Sequence, residues 1–276
     1  MDSSRNMFDL TGRVAIVSGG AGLLGEHHAA VIAEAGGIPV MVDIHRERVE
    51  SKAAKINAQY GSKAIGVAVD ITSESAVEAL LKNVLTQFGR VDILINNAAN
   101  NPRVEANTDV KFSRLENFPL EQWDADLAVG ITGAYLCAKV FGGHMAASGG
   151  GVVINIASDY GIIAPDQRIY RQPGLPDHLQ PAKPVTYSVV KSAILGLTRY
   201  LATYWADKKV RVNALSPGGV ANNQPAEFVT KYTNLIPLGR MANPDEYRGA
   251  ILFLASDASS FMTGANLVVD GGHSCW

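Results

Sequence analysis

The sequence predicts an α/β fold: one domain spanning residues 1–276, with a mostly parallel sheet and helices on both of its faces. Short β-branched runs alternate with longer stretches of helical spacing from end to end. No linker, internal repeat or shift in composition divides the chain. Hydrophobic residues make up 47% and charged residues 18% of the sequence. That composition can bury a sizeable core and excludes a largely disordered protein.

Seven short apolar runs predict the strands. The first run lies between Gly12 and Gly19 and contains no polar residue, which is typical of a strand buried on both faces. The predicted strands are residues 14–17, 38–42, 64–69, 91–95, 151–156, 210–215 and 267–269.

Stretches of helical spacing lie between these strands. The stretch from residue 75 has Thr72 or Ser73 as its start signal and Glu74 in its opening turn. The first helix begins after the glycines that follow strand one and continues through residues 29–35. The other predicted helices are residues 46–59, 75–88, 121–147, 185–206 and 245–255.

Two segments interrupt this alternation. Residues 97–119 follow the fourth strand without a clear helix, and residues 159–184 follow the fifth strand and contain five prolines. Loops of this length in a compact domain are usually lids or binding loops. We therefore expect residues 159–184 to be a substrate loop, with surface elaboration or an oligomer contact as the open alternative for each segment.

Composition excludes several classes of function. Lys and Arg total 24 against 26 Asp and Glu, so no basic excess is present for binding nucleic acid. The two cysteines, Cys137 and Cys275, fit a reducing compartment, and residues 1–10 contain no apolar run typical of a signal peptide. No stretch has the run of about eighteen apolar residues that predicts a membrane span. A cytoplasmic protein with a small-molecule substrate is expected.

The turn after the first strand predicts a phosphate-binding site. Gly20, Gly22 and Gly25 form the pattern G-x-G-x-x-G between a strand and a helix. Positions without Cβ let the backbone approach a pyrophosphate, which the helix N-terminus then stabilises. A tight turn with close helix packing is the alternative. The cofactor-binding residues expected in this turn are Gly19, Gly20, Gly22, Leu23, Leu24 and Gly25.

Residues at the ends of the next strands extend this site. Asp43 ends the second strand, 18 residues after Gly25, where a carboxylate can bind the ribose hydroxyls of NAD and repel the 2′-phosphate of NADP. Arg46 could partly offset this repulsion by pairing with the phosphate. Asp70 is placed to face the adenine, with helix capping near Thr72 as an equal alternative. Further expected cofactor contacts are Ile71, Asn97 and Ala98.

A Tyr four residues before a Lys places both side chains on one face of a helix. The ammonium can then lower the pKa of the tyrosine for acid/base chemistry. The spacing occurs three times, as Tyr135/Lys139, Tyr187/Lys191 and Tyr204/Lys208. Only Tyr187 opens a helix beyond the fifth strand, which Ser158 ends. Tyr187, Lys191 and Ser158 are therefore the candidate catalytic residues.

Together these residues resemble the short-chain dehydrogenase/reductase family over about residues 8–272. The resemblance implies a seven-stranded Rossmann fold, commonly assembled as a homotetramer or homodimer. It implies that Tyr187 is the acid/base, that Lys191 binds the nicotinamide ribose and tunes the tyrosine, and that Ser158 orients the substrate. It also implies that Pro217 and Gly218 border the nicotinamide. The motifs that carry the resemblance are Gly19 to Gly25, Asp43, Asp70, Asn96-Asn97-Ala98, Ser158, Tyr187-Ser-Val-Val-Lys191, Ser216-Pro217-Gly218 and Val269-Asp270-Gly271-Gly272.

Three positions depart from the family pattern. Leu23 stands where the family usually has glycine, and Gly130 stands where it has an Asn that holds a water beside the lysine. Ser158 and Tyr187 lie 29 residues apart, wider than usual. Within the family, the long insert at residues 159–184 and the ending after Asn266 look most like oxidoreductases of surface-sugar pathways, of the flagellin-modification type.

The insert predicts part of the substrate. Arg168 and Arg171 could bind an anionic group, since guanidinium groups suit carboxylates and phosphates. A solvated loop or an oligomer contact is the alternative. The six histidines have no metal-ligand spacing, so no metal site is expected.

These features predict an NAD-preferring, NAD(P)-dependent dehydrogenase/reductase that interconverts a secondary alcohol and a ketone. A sugar or other polyhydroxylated compound, anionic if the arginines bind it, is the expected substrate. Two alternatives stay open. One is a catalytically idle NAD-binding sensor or partner protein, which Leu23 and Gly130 favour. The other is a sugar epimerase or dehydratase on the same fold.

Overall fold

The computed structural model describes residues 6–100 and 113–276. In these ranges seven strands alternate with helices. The strands are β1 (Val14–Ser18), β2 (Ile38–Asp43), β3 (Ile65–Ala68), β4 (Ile93–Asn96), β5 (Gly151–Ile156), β6 (Val210–Pro217) and β7 (Asn266–Val269). The helices of at least eight residues are α1 (Leu23–Glu34), α2 (Arg46–Tyr60), α3 (Glu74–Phe88), α4 (Leu120–Ala147), α5 (Val185–Tyr204), α6 (Ala226–Thr233) and α7 (Arg248–Ala255).

All strands of the sheet are parallel, in the order β3-β2-β1-β4-β5-β6-β7. The predicted single-domain Rossmann fold with seven strands is therefore confirmed. After β3 the chain crosses back to β4 on the other side of β1, so the connections from β1 and β4 leave in opposite directions. This switch point opens a crevice at the carboxyl ends of the strands.

Alternate residues of each strand pack into two separate hydrophobic cores, one on each face of the sheet. Val17 and Ile95 face the core that α1, α2 and α7 cover, whereas Ile16 and Leu94 face the core that α3, α4 and α5 cover. Burial of both faces explains why β1 reads as an unbroken apolar run.

Helix α4 is long and apolar enough to cross a membrane, judged by length and composition alone. The sequence reasoning found no such stretch. Half of its apolar stretch is buried, and Phe141 and Met145 are fully covered in the core beside the sheet. Packing on the sheet therefore accounts for the apolar composition of this helix.

Some elements differ from the sequence prediction. The start signal of α3 is Ser73, whose side chain accepts a hydrogen bond from the amide of Ala76. The predicted helix 245–255 begins as a 3₁₀ turn, Pro244–Tyr247, before α7. Helix α6 was not predicted, because it has only eight residues and directly follows Pro225.

Candidate active site

A cavity of about 1280 Å³ lies at the carboxyl ends of the strands. It extends from the glycine turn after β1 to helix α6. Most of the residues expected to bind the cofactor line it; Gly20 and Gly25 do not. The lining members are Gly19, Gly22, Leu23, Leu24, Asp43, Asp70, Ile71, Asn97, Ala98, Tyr187, Lys191, Pro217 and Gly218.

The glycines of the turn serve two different purposes. A Cβ on Gly25 would stand 2.2 Å from the carbonyl oxygen of Gly19, and one on Gly20 would stand 2.8 Å from Cβ of Met41. Gly20 and Gly25 are therefore required by packing of the turn itself, as the alternative interpretation predicted. Gly19 adopts φ of +62° and, with Gly22, faces the cavity.

The N-terminus of α1 fits a pyrophosphate. Gly22 is its N-cap and supplies no side-chain hydrogen bond to the amides of the first turn. Those amides and the positive end of the helix dipole can stabilise an anion beside the cavity. Leu23, in place of the usual glycine, is the first helical residue and is 38% exposed, so its side chain is accommodated at the cavity edge.

Asp43 stands at the end of β2 with its carboxylate held in place. The oxygen Oδ2 accepts from the amide of Ala21 at 3.2 Å, and Oδ1 accepts from the amide of His45 at 3.2 Å. Arg46 forms an ion pair with Glu50 at 3.3 Å. Arg48, which sequence reasoning overlooked, lines the cavity near Asp43.

Asp70 takes part in both predicted roles. It lines the cavity, and its Oδ1 accepts hydrogen bonds from the amide and the hydroxyl of Thr72 at 2.9 and 2.7 Å. The carboxylate therefore shapes the turn before α3 while facing the crevice.

A link between β1 and β4 closes the floor of the cavity. The Ser18 hydroxyl accepts from the amides of Asn97 and Ala98, at 3.0 and 3.2 Å. The Asn97 side-chain amide donates to the carbonyl oxygens of Ser18 and Gly19. Asn97 therefore fixes the glycine turn as well as lining the cavity. Sequence reasoning missed the part that Ser18 plays.

The structure brings Ser158, Tyr187 and Lys191 together at the other end of the cavity. Ser158 follows β5 and is buried, while Tyr187 and Lys191 lie one turn apart near the start of α5. The Lys191 ammonium donates to the carbonyl oxygen of Ile156 at 2.8 Å and lies 5.9 Å from the ring centroid of Tyr187.

Burial governs the acid/base properties of these residues. It raises the pKa of Tyr187 to about 12, although a hydrogen bond with Ser158 opposes the rise. Burial also lowers the pKa of Lys191 to about 8. In the protein without cofactor, desolvation of the phenolate therefore places the pKa of Tyr187 above its ordinary value, and the lowering by Lys191 stays a prediction. At neutral pH Tyr187 is a protonated phenol.

A buried carboxylate supports Ser158. Oδ1 of Asp159 accepts from the Ser158 hydroxyl at 2.7 Å and from the amide of Tyr160 at 2.8 Å. Its Oδ2 makes hydrogen bonds with Nδ1 of His273 at 2.9 Å and with the hydroxyl of Tyr232 at 3.3 Å. The segment after β7 is thereby tied to the residue next to Ser158. Sequence reasoning missed this contact, which no local pattern indicates.

Lys183 is a second lysine at this end of the cavity, and sequence reasoning missed it too. Its ammonium lies 4.0 Å from the ring centroid of Tyr187, nearer than that of Lys191. Burial lowers its pKa to about 8. The spacing Lys183 to Tyr187 is again four residues, but in the direction opposite to the pattern that drew attention to Lys191.

The two arginines of the insert lie in different places. Arg171 lines the cavity and faces Asp177 at 3.6 Å. Arg168 is paired with Asp166 at 2.7 Å, its side chain is 83% exposed, and it does not line the cavity. Of the predicted pair, the structure brings only Arg171 to the site.

Gly130 is closed off by a neighbouring helix. It is buried in α4, within a π-helical segment, Ala128–Gly133. A Cβ at this position would stand 2.4 Å from Cγ1 of Val190 on α5. An Asn here would collide with Val190, the residue beside Lys191.

The two other Tyr/Lys pairs lie on the surface, as expected. Lys139 forms an ion pair with Glu74, and Tyr135 is 48% exposed. Tyr204 is 62% exposed, and Lys208 pairs with Asp207 at 3.0 Å. Within residues 6–100 and 113–276, no group of three or more His, Cys, Asp or Glu side chains could hold a metal ion.

Comparison with known proteins gives the family. Residues 13–170 match the short chain dehydrogenase family, and residues 178–274 match a family described as enoyl-(acyl carrier protein) reductase. The first match alone covers more than half of the chain.

Similar proteins cover nearly the whole chain. D-threitol dehydrogenase of Mycolicibacterium smegmatis is 34% identical, over 97% of this chain and 95% of that protein. NAD-dependent glycerol dehydrogenase of Listeria innocua is 33% identical, over 97% and 96%. The crystal structure of a gluconate 5-dehydrogenase from Burkholderia cenocepacia, in complex with NADP and tartrate, has a TM-score of 0.86 at 28% identity, over 99% of this chain and 100% of that one.

Sequence, fold and cavity agree with these matches. The chain belongs to the short-chain dehydrogenase/reductase family and is an oxidoreductase that acts on alcohol groups with a pyridine nucleotide cofactor.

Proposed function

We propose that this protein is an NAD-preferring dehydrogenase that interconverts a secondary alcohol and a ketone on a sugar or other polyhydroxylated substrate. The observation that carries the proposal is one continuous cavity. Ser158, Tyr187 and Lys191 line one end of it, and Gly22 and Asp43 line the other. Names of similar proteins, D-threitol dehydrogenase and NAD-dependent glycerol dehydrogenase, support the substrate class.

Asp43 supports the preference for NAD. Its anchored carboxylate at the end of β2 suits two ribose hydroxyls and repels a 2′-phosphate. Arg46 pairs with Glu50, whereas Arg48 lines the cavity. The gluconate 5-dehydrogenase mentioned above holds NADP, so the preference needs a direct measurement.

The chain's own residues would perform the proton chemistry. When bound, the nicotinamide supplies the hydride chemistry. In the reducing direction Tyr187 donates its phenolic proton to the carbonyl oxygen, and in the oxidising direction it takes the hydroxyl proton. Ser158, held by Asp159, orients the substrate oxygen, and Lys191, anchored on the oxygen of Ile156, holds the ribose.

The proposal extends to the oligomeric state and the location of the protein. Tyr200 and Tyr204 stack on the surface of α5, and Phe261 is fully exposed, which favours a homodimer or homotetramer. Cys137 and Cys275 are free thiols, which supports a cytoplasmic location. The resemblance to flagellin-modification-type oxidoreductases stays a prediction.

The test is a substrate panel with the purified full chain. Threitol, xylitol, mannitol and their aldonic acids would be offered with NAD and with NADP, while reduced nicotinamide is followed by its absorbance. We expect net reduction, with a higher kcat/KM for NAD. The Tyr187→Phe variant should lose about 10²- to 10⁴-fold in kcat yet still bind NADH, because one acid/base group is removed.

Tyr135→Phe is the matched control, since it removes the same hydroxyl from an exposed helix face. Product formed without net reduction would indicate an epimerase or dehydratase. Binding of NAD without turnover of any substrate would indicate a sensor. Full activity of Tyr187→Phe would refute the assignment of Tyr187.

A further inference from the structure

The catalytic end of the cavity is lined by more cations than carboxylates. Arg171, Lys183, Lys191 and Lys231 line it together with Asp159 and Glu227. Lys231 is paired with Glu227. Among the residues that the structure describes here, the lining is therefore positive and suits an anionic ligand.

The Asp159 carboxylate is hydrogen-bonded within the protein, and its charge also acts on Lys183. Its Oδ1 accepts from the Ser158 hydroxyl and from the amide of Tyr160, and its Oδ2 contacts His273 and Tyr232. The carboxylate raises the pKa of Lys183, against the larger lowering by burial. Asp159 therefore offsets part of the positive charge at this end, where Arg171, Lys183 and Lys191 still outnumber it.

Lys183 and Lys191 differ in what holds them. The Lys191 ammonium donates to the carbonyl oxygen of Ile156 beneath the tyrosine. The Lys183 ammonium lies over the ring of Tyr187, at 4.0 Å from its centroid, on the part of the cavity wall that the insert forms. Lys183 therefore lines the same part of the cavity as Ser158 and Tyr187.

The backbone fixes the position of Lys183. Pro181 and Pro184 flank it, and Pro184 is the N-cap of α5. The amide of Lys183 donates to Oε1 of Gln167 at 2.9 Å. Because the backbone is already fixed here, only the side chain of Lys183 has to be ordered when its ammonium binds an anion.

We propose that Lys183 binds a carboxylate of the substrate, and that the preferred substrates are hydroxy acids whose carboxylate lies near the reacting secondary alcohol. This inference rests on the proposed function and names the substrate class for the same site. The reaction is otherwise unchanged: the alcohol carbon gives a hydride to the oxidised nicotinamide, the hydroxyl proton passes to Tyr187, and a keto acid results. Lys183 lies near the end of the insert and is the residue of the insert that binds the anion. Arg168, which the sequence predicted for this role, lies outside the cavity.

The test compares each alditol with the aldonic acid of the same carbon chain. For the wild-type protein we expect a higher kcat/KM with the acid. Lys183→Met keeps the aliphatic stem and should lower kcat/KM for the acid by about tenfold to a hundredfold, mainly through KM, because a charge-assisted hydrogen bond is lost. The loss with the alditol should be clearly smaller than the loss with the acid and should leave its KM the same, because the alditol carries no carboxylate for Lys183 to bind. Lys183→Arg, which keeps the charge, should retain most of the acid activity.

Lys208→Met is the matched control, because Lys208 is an exposed lysine just before the amino end of β6, at the opposite edge of the sheet. Circular dichroism of each variant checks folding. Equal losses for acid and alditol would overturn the proposal, since Lys183 would then act through Tyr187 alone. An unchanged acid KM in Lys183→Met would overturn it as well.

Binding without turnover separates this inference from the proposed function. Aldonic acids and alditols would be titrated calorimetrically into the wild-type protein and into Lys183→Met, each with NADH. Weaker acid binding by the variant supports the role of Lys183 even if the wild-type protein turns over neither compound, a result that would refute only the proposed function. Equal binding by both proteins refutes the role of Lys183 even if the wild-type protein is active.

Discussion

At Gly130, a neighbouring residue fills the space that a larger side chain would occupy. The family pattern has an Asn here, which holds a water beside the lysine. In this chain the methyl groups of Val190 occupy the volume into which that side chain would extend, with Cγ1 2.4 Å from a built Cβ. Gly130 and Val190 therefore form a complementary pair, and substitution of either residue alone leaves a clash or a void.

This complementarity predicts a non-additive double variant. Gly130→Asn alone should lower the free energy of unfolding by about 1–3 kcal/mol, because the interior is overpacked. Gly130→Asn combined with Val190→Ala should be less destabilised than the two single variants predict. Urea unfolding of the four proteins measures this coupling, and kcat shows whether an amide beside Lys191 assists the reaction. Strict additivity would contradict the pairing.

At the level of elements, the sequence predicts the strands and helices that have a repeating pattern. It misses a short helix and a contact between residues far apart in the chain. The seven strands follow from buried apolar runs, and the Tyr187/Lys191 pair follows from helical spacing plus its place after β5. Helix α6 gives no such signal, although Phe228 and Tyr232 on it help to line the cavity. The contact of Asp159 with His273 joins positions 114 residues apart, which no local pattern reveals.

The insert is an ordered element because one side chain bridges it. Gln180 is 8% exposed, and its Oε1 accepts from the amide of Gln172 at 2.8 Å. Its Nε2 donates to the carbonyl oxygens of Gln172 and Leu175 at 3.0 and 2.6 Å. Arg114 adds hydrogen bonds to the carbonyl oxygens of Asp177 and Gln180. Residues 169–173 are thereby held against the substrate end of the cavity.

Gln180→Met should therefore loosen the insert without unfolding the domain. Loss of three hydrogen bonds leaves half-buried backbone groups of Gln172 and Leu175 without their partner, so we expect faster hydrogen exchange at residues 167–180 and a higher KM for the substrate. NADH binding should stay the same, since the glycine turn is remote from the insert. Gln59→Met, at an exposed position on α2, is the control. Unchanged exchange in Gln180→Met would show that Gln180 does not hold the insert.

At the scale of the whole molecule, two buried lysines of the active site lower the free energy of unfolding at neutral pH. Lys183 and Lys191 are charged groups in a poorly solvated place, and burial lowers the pKa of each to about 8. In the unfolded chain a lysine has a pKa of about 10.4. Between these values the unfolded chain binds more protons than the folded protein, so each lysine makes stability rise with pH. Below pH 8 the cost of both buried charges is fully present.

Cys137 acts in the opposite direction, because burial raises its pKa to about 12 and the unfolded thiol ionises first. Two lysines against one thiol predict that the free energy of unfolding of the protein without cofactor rises by about 1 kcal/mol per pH unit between about pH 8 and 9. Above this range the buried tyrosines, whose pKa values burial raises, oppose the rise, because their phenols ionise first in the unfolded chain. In Lys183→Met the remaining lysine and the thiol nearly cancel, so the profile should be almost flat, whereas Lys208→Met should keep the wild-type slope. Urea unfolding at several pH values measures both slopes. Equal slopes in the wild-type protein and Lys183→Met would mean that the Lys183 ammonium is solvated in the cavity, because only a desolvated ammonium changes its proton binding on unfolding.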